Sequence, residues 1–283
     1  MGTWIGEENA DLGILLKVRA EKILYKGSSR NFNEIIVGKT RLFGSVLVLK
    51  ENKNYTFQIA EKWDSYSEML VHVPMCAHPN PKRILIIGGG DGSSLREVIK
   101  HETVEEIFLV DIDEKIVNLG KNILGVDKGA FSDPRVNVII GNAYEFIKGY
   151  SGEKFDIVIG DYSDPYRGTP AEILIQEDFF KSLKKISSPN SILCLQSGSP
   201  MFQQDILKTI YLHLKALFKN TYIYVSVVPF YPGGIWSFTT ASDVHDPRHP
   251  IREITNTFFY NKEIHTSAFS LPTFLRTLLD TDS

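Results

Sequence analysis

Between residues 82 and 196 short apolar runs alternate with segments of helical spacing. The runs are RILIIGG, EIFLVDI, VNVIIG, FDIVIGD and SILCLQ, and helical patterns such as SSLREVIKH, EKIVNLGKNIL and QEDFFKSLKKI lie between them. The runs lack the strict apolar–polar alternation of a strand with one wet face, so they read as strands buried on both sides. Strand and helix alternating at this spacing imply a parallel sheet wound on both faces, since each helix must cross back over the sheet before the next strand. Two later segments, NTYIYVSVVPFY and GIWSFTTAS, are separated only by PGG and are expected to form a hairpin that adds an antiparallel pair at one edge.

Upstream the texture differs. ILLKVRAEKILY, FNEIIVGK, RLFGSVLVLK and NYTFQIA, within residues 14–59, are short β-rich pieces with alternation, which predicts a small antiparallel sheet. DSYSEMLVHVPMCAH then shows helical spacing and stops before PNPK. The expected fold class is therefore α/β: a parallel sheet with an antiparallel edge hairpin, preceded by a small antiparallel β domain. The expected division is residues 1–62 and 63–283.

With a formal net charge of -3 and no dense Lys/Arg tract, the sequence gives no reason to expect nucleic acid as a partner. No run approaches the ~18 apolar residues of a membrane span. The start, MGTWIGEENADLG, lacks an export pattern, and Gly6 stands where a myristoylation signal would need Ser or Thr, so a cytoplasmic location is expected. Cys76 and Cys194 both sit in apolar runs and read as buried free thiols, and the seven histidines show no metal-ligand spacing.

Gly88, Gly90 and Gly92 follow the strand RILII and precede a helix, the setting in which small residues let a ligand approach backbone N–H groups. Asp111 ends the next strand about twenty residues on, where a carboxylate can take both ribose hydroxyls. The competing reading of Asp111 is a helix N-cap. Asn142 and Ala143, at the following strand tip, can read an adenine edge through an amide and a backbone N–H. A dinucleotide would bring a pyrophosphate, but Asp91 inside the loop repels phosphate and attracts a cation. An S-adenosyl compound, with its sulfonium and ammonium, suits that loop better than NAD. Asp161 and Asp164 then lie at the carboxyl end of another strand, where two carboxylates can hold a polycation and one can take its proton.

With these residues in place, the ordered motifs HPNPK, ILIIGGGDG, VDIDE, SDP, PFYPGG and EIHTSAFSLP resemble the polyamine aminopropyltransferase (spermidine synthase) family over nearly the whole chain. The resemblance implies a Rossmann-like methyltransferase-type domain behind a small β domain, a homodimer or homotetramer, and no metal. It also implies decarboxylated S-adenosylmethionine as co-substrate, a polyamine as acceptor and 5′-methylthioadenosine as product. Carried over, Asp91 would hold the aminopropyl ammonium, Asp111 the ribose, and Asn142 with Ala143 the adenine. Gln58, Gly88 and Gly90 complete the donor side. Asp161 corresponds to the base and Tyr66 to the tyrosine that orients the amine, while Asn33, Asp164, Tyr231 and Trp236 fall at acceptor positions. Ser67, Asn33 and Asn142-Ala143 depart from the family pattern, the last by replacing a charged acceptor with an amide expected still to pair with the adenine amino group. The acceptor is expected among putrescine, agmatine, spermidine or several amines, and the loop DPYRGTPA, longer than the usual Asp-Pro-x-Gly-Pro-Ala, points to a triamine, agmatine or several amines over putrescine alone. A methyltransferase on the same fold is the alternative.

Overall fold

The computed structural model describes residues 2–10 and 12–280. Five strands close on themselves near the N-terminus: β1 (Thr3–Asn9), β2 (Ile14–Gly27), β3 (Glu34–Thr40), β4 (Gly44–Glu51) and β5 (Asn54–Ala60). Antiparallel pairing of Glu8 on β1 with Tyr55 on β5 completes the barrel, which leaves no open edge. The expected small sheet began at residue 14 and lacked β1. That strand hides because its inward positions are Ile5, Glu7 and Asn9, two of them polar, while Trp4 faces out. Its alternation runs against the usual apolar-in pattern.

Helix α1 (Ser65–Ala77) follows, capped by Asp64, whose carboxylate accepts the Ser67 N–H. Every residue of α1 is buried. It joins barrel and sheet through one continuous core that includes Leu47 and Phe57 of the barrel, Met69 and Leu70 of α1, and Ile84 and Ile86 of the sheet.

The second sheet holds β6 (Arg83–Gly88), β7 (Glu106–Asp111), β8 (Val136–Ile140), β9 (Phe155–Asp161), β10 (Ser187–Gln196), β11 (Asn220–Val227) and β12 (Ile235–Ser242). Their order is β11-β12-β10-β9-β6-β7-β8, with β12 antiparallel to both β10 and β11 and the other pairs parallel. The expected hairpin is therefore present, with β12 inside and β11 at the edge. Ile84 and Ile86 face one core while Leu85 and Ile87 face another, so this strand is buried on both sides.

Helices α2 (Ser93–Val98), α3 (Glu114–Leu119), α4 (Ala143–Gly149), α5 (Glu177–Ile186), α6 (Gln204–Leu217), α7 (Lys262–Ala268) and α8 (Thr273–Asp280) complete the chain. EKIVNLGKNIL reads as one helix, but α3 gives way at Gly120 to a π-helical turn, Gly120–Leu124. Gly120 abuts the glycine loop so closely that a Cβ there would lie 2.6 Å from the Asp91 carbonyl oxygen. Both cysteines are buried and free.

The connectivity reverses beside β6, whose neighbours are β7 on one side and β9 on the other. At such a switch point the loops part and leave a crevice at the carboxyl ends of the strands. Gly88 pairs with Asp161 across β6 and β9, so the glycine loop and the acidic loop open side by side into that crevice.

Candidate active site

Gly88 has φ +80°, and a Cβ on it would lie 2.2 Å from the carbonyl oxygen of Asp161. The Gly89 N–H donates to that same carbonyl at 2.8 Å, locking the two loops together. Gly88→Ala is therefore expected to cost at least about 1–2 kcal/mol from the left-handed backbone alone. A thermal melt should show Tm lower by several degrees, at about 2–4 °C per kcal/mol; an unchanged Tm would mean that the loop tolerates a side chain.

The next glycine serves Asp111. Gly90 N–H donates to Asp111 Oδ2 and Asp113 N–H to Asp111 Oδ1, each at 2.8 Å. Burial pushes the Asp111 carboxyl up to about 6. Asp113, not Asp111, caps α3, by accepting the N–H groups of Lys115 and Ile116. The N-cap reading of Asp111 falls, and its carboxylate lines a cavity with Gly88, Gly90, Asp91, Asn142 and Ala143. Phe32, Leu47 and Leu49 of the barrel close the opposite wall.

Asn142 reaches the expected place but with a different chemistry. Its Oδ1 accepts the N–H groups of Tyr144 at 2.8 Å and Glu145 at 3.3 Å and so caps α4. Both lone pairs of that oxygen are used. The carbonyl expected to accept from an adenine amino group is committed to the helix, and what remains of the side chain is a donor.

Beside this cavity lies a second, and Gln58, Asp91, Asp161, Tyr162 and Ser163 line both. Tyr66 Oη donates to Asp161 Oδ1 at 2.9 Å and Ser94 Oγ to Asp161 Oδ2 at 2.6 Å. Burial, reinforced by the charge of Asp91, pushes Asp161 up to about 7. Asp91 accepts the Ser93 N–H at 2.8 Å and is also raised by burial. Asp164 accepts from Gln203 Nε2 at 2.7 Å and from Gln196 Nε2 at 3.5 Å, again with its pKa raised by burial. All these hydrogen-bond donors are neutral, so Asp161 and Asp164 are solvated by dipoles, while Asp91 also feels the charge of Arg96, which works against the effect of burial. Burial and the neighbouring Asp161 hold the Tyr66 hydroxyl far above its usual range, which keeps it a proton donor.

Aromatic rings form the remaining wall. Tyr231 packs edge-on to Tyr66, with centroids 5.5 Å apart, and lies 4.4 Å from Trp236. Tyr231 Oη is tied to the Gln58 carbonyl at 2.7 Å and Trp236 Nε1 to Gln196 Oε1 at 3.2 Å. Fixed ring faces beside half-buried carboxylates attract an ammonium through both quadrupole and charge.

The structure brings together Gln58, Tyr66, Asp91, Asp161, Asp164, Tyr231 and Trp236, but not Asn33. Asn33 is exposed, and its Oδ1 accepts the Asn52 N–H at 2.8 Å, where the β4–β5 turn takes a left-handed φ of 53°. It supports that turn and lines neither cavity. Residues absent from the sequence reading also join the site or brace it, among them Ser94, Tyr162, Ser163, Gln196, Gln203 and Glu7. Glu7 comes from β1, accepts the Phe57 N–H at 3.3 Å and is pushed up to about 8 by burial, with Asp164 adding to the shift. Arg167, in the lengthened loop, is exposed and stays out of the aromatic cavity.

Residues 63–249 match the family model described as "Spermine/spermidine synthase domain", and residues 3–56 match one described as "Spermidine synthase tetramerisation domain". The chain belongs to the spermine/spermidine synthase family. Its relatives in that family include a polyamine aminopropyltransferase of Caldicellulosiruptor saccharolyticus, 33% identical over 99% of both chains. The spermidine synthase of Schizosaccharomyces pombe is 35% identical over 95% of this chain and 90% of its own. Among solved structures, a spermidine synthase in complex with the transition-state analogue AdoDATO superposes with a TM-score of 0.89 at 30% identity, covering 98% of this chain and 95% of that one. The spermidine synthase of Thermotoga maritima gives a TM-score of 0.86 at 30% identity, over 98% and 94% of the two chains. These family relationships do not favour the methyltransferase alternative.

Proposed function

We propose that this member of the family transfers the aminopropyl group of decarboxylated S-adenosylmethionine to a linear polyamine and releases 5′-methylthioadenosine. The observation that carries the reading is the shared wall: Asp91 and Asp161 line both the nucleoside-type cavity and the aromatic, acidic one. A reacting carbon held at that boundary lies between a donor on one side and an amine on the other.

The acceptor amine arrives as an ammonium, with a pKa of about 10.4 in water, and has no lone pair to attack with. Asp161 takes its proton, while the Tyr66 and Ser94 hydroxyls hold the carboxylate in place. The freed lone pair forms the C–N bond at the propyl carbon attached to sulfur. The C–S electron pair goes to sulfur, which leaves as the neutral thioether of methylthioadenosine, and Asp161 later returns its proton to water. Tyr231, Trp236 and Asp164 hold the acceptor, Asp91 the donor ammonium, and Asp111, Gly90 and Ala143 the nucleoside. Ordinary S-adenosylmethionine would set its own carboxylate against Asp91, at a cost that buried polar surroundings do not offset.

Residues 1–62 and 63–283 are assigned as the β domain and the catalytic domain of this enzyme. Assembly into a homo-oligomer is supported by the tetramerisation-domain match and by Trp4 and Leu15, each 63% exposed on the paired strands β1 and β2. A cytoplasmic location agrees with reduced, buried cysteines, and among the described residues no helix is long and apolar enough to cross a membrane. Incubation with decarboxylated donor and a mixed amine panel should release methylthioadenosine together with one or more elongated amines. Methylation of any amine by ordinary S-adenosylmethionine, without methylthioadenosine, would overturn the assignment.

A further inference from the structure

The acidic channel does not stop at Asp164. An outer cavity lies beyond it, lined by Glu51, Thr56, Tyr166, Arg167 and Gln203. Gln203 Nε2 donates both to Asp164 Oδ2 at 2.7 Å and to Tyr166 Oη at 2.5 Å, so these two side chains stand between the cavities. Strand β5 walls both, with Thr56 on the outer side and Phe57 and Gln58 on the inner.

Glu51 ends β4 and pairs with Asn54 across the hairpin turn. It is only 8% exposed, and its Oε1 is buried with no hydrogen-bond partner. A buried, unpaired carboxylate oxygen is costly, and a cation brought to it recovers that cost. Glu51 also lies within the field of the inner site, because the charge on Asp164 adds to the burial that pushes its pKa up to about 7. Lys53, Arg167 and Asp205 line the same cavity, but all three are exposed at its rim, where solvent screens them.

We propose that Glu51 is a far acceptor subsite that takes the terminal ammonium of a linear triamine. Asp161 then faces the attacking nitrogen, Asp164 the middle one and Glu51 the last: three anionic stations for three cations. A diamine held at Asp161 leaves the last station empty, so the channel favours the longer acceptor. This inference rests on the aminopropyl-transfer reading of the same site.

The test compares spermidine, putrescine and agmatine as acceptors for the full-length wild type and Glu51→Gln. The ratio of kcat/KM for spermidine to that for putrescine should exceed one in the wild type and fall about tenfold or more in the variant, the loss expected for a hydrogen bond between charged groups. Calorimetric titration of each amine in the presence of methylthioadenosine reads the same preference without turnover. Spermidine should bind the wild type more tightly than putrescine, and Glu51→Gln should narrow that gap. Equal losses for both amines, a ratio unmoved by the substitution, or an agmatine preference abolished by it would overturn the triamine subsite. If no amine releases methylthioadenosine, the transfer reading falls by itself, and the titrations still decide whether Glu51 holds the far end of a triamine.

Discussion

Asp161→Asn should lower kcat by about 10²-fold or more while changing methylthioadenosine affinity far less. Removal of a general base typically costs 10²–10⁴-fold, and the amide cannot accept the proton that the ammonium must lose. The substitution is close to isosteric: Tyr66 Oη can still donate to the remaining oxygen, and the Ser94 hydroxyl can rotate to accept from the new NH₂. The fold and the Gly88–Asp161 backbone register should therefore survive. The pH profile supplies an independent readout. Burial favours the neutral form of Asp161 and raises its pKa to about 7, so the base is protonated and idle below that value and ionised above it. Wild-type kcat/KM should fall as pH drops through about 7. Above it the rate should hold until the acceptor amine itself deprotonates near its solution pKa of about 10. The variant should lose the lower break. A variant retaining more than about a tenth of wild-type kcat, or keeping the break near 7, would remove Asp161 from the role of base.

How much of this was legible in the sequence depended on which way each side chain had to face. Strand β6 was plain because each position is apolar whichever face it meets, Ile84 and Ile86 serving one core and Leu85 and Ile87 the other, whereas β8, also an apolar run in sequence, lies at the sheet edge with Ile140 exposed. The glycine loop was equally plain, since Gly88 has a backbone conformation and a 2.2 Å approach that only glycine meets without strain. Strand β1 was invisible for the opposite reason. Two of its three inward residues, Glu7 and Asn9, are polar because the barrel interior at that end faces the inner and outer cavities rather than a dry core. A pattern that encodes burial by apolarity cannot announce a strand whose buried face is functional. Glu7, Gln196 and Gln203 were missed with it, because their place in the site comes from tertiary pairing between distant segments and leaves no local spacing. Asn142 shows the reverse error. The residue was found, but its carbonyl belongs to the start of α4, a competition between helix capping and ligand binding that only the N–H positions of Tyr144 and Glu145 resolve. Asn33 likewise looked like a ligand residue and turned out to hold the β4–β5 turn.

Asp91→Asn should weaken binding of decarboxylated donor by about 10- to 100-fold, the equivalent of the ~1.5–3 kcal/mol typical of a hydrogen bond to a charged group. Methylthioadenosine lacks the propyl ammonium and should lose much less. The two ligands share the nucleoside, so their difference isolates the contact with the ammonium. The Ser93 N–H that now donates to Asp91 Oδ1 can donate equally well to the oxygen of an asparagine, which preserves the loop while deleting the charge. A second consequence follows from the coupling of the two acids across the shared wall. After burial, the charge of Asp91 is the next largest influence raising the pKa of Asp161, so removing it should let Asp161 ionise at lower pH. The acid limb of kcat/KM should therefore shift downward in Asp91→Asn, even as the donor binds more weakly. Titration of both ligands by calorimetry and a pH profile at saturating acceptor check the two effects separately. If Asp91 merely shaped the glycine loop, both ligands would lose affinity equally and the acid limb would stay where it was. Unequal binding losses joined to a downward shift are what a carboxylate must produce when it holds one substrate's cation and stands close enough to the base to set its ionisation.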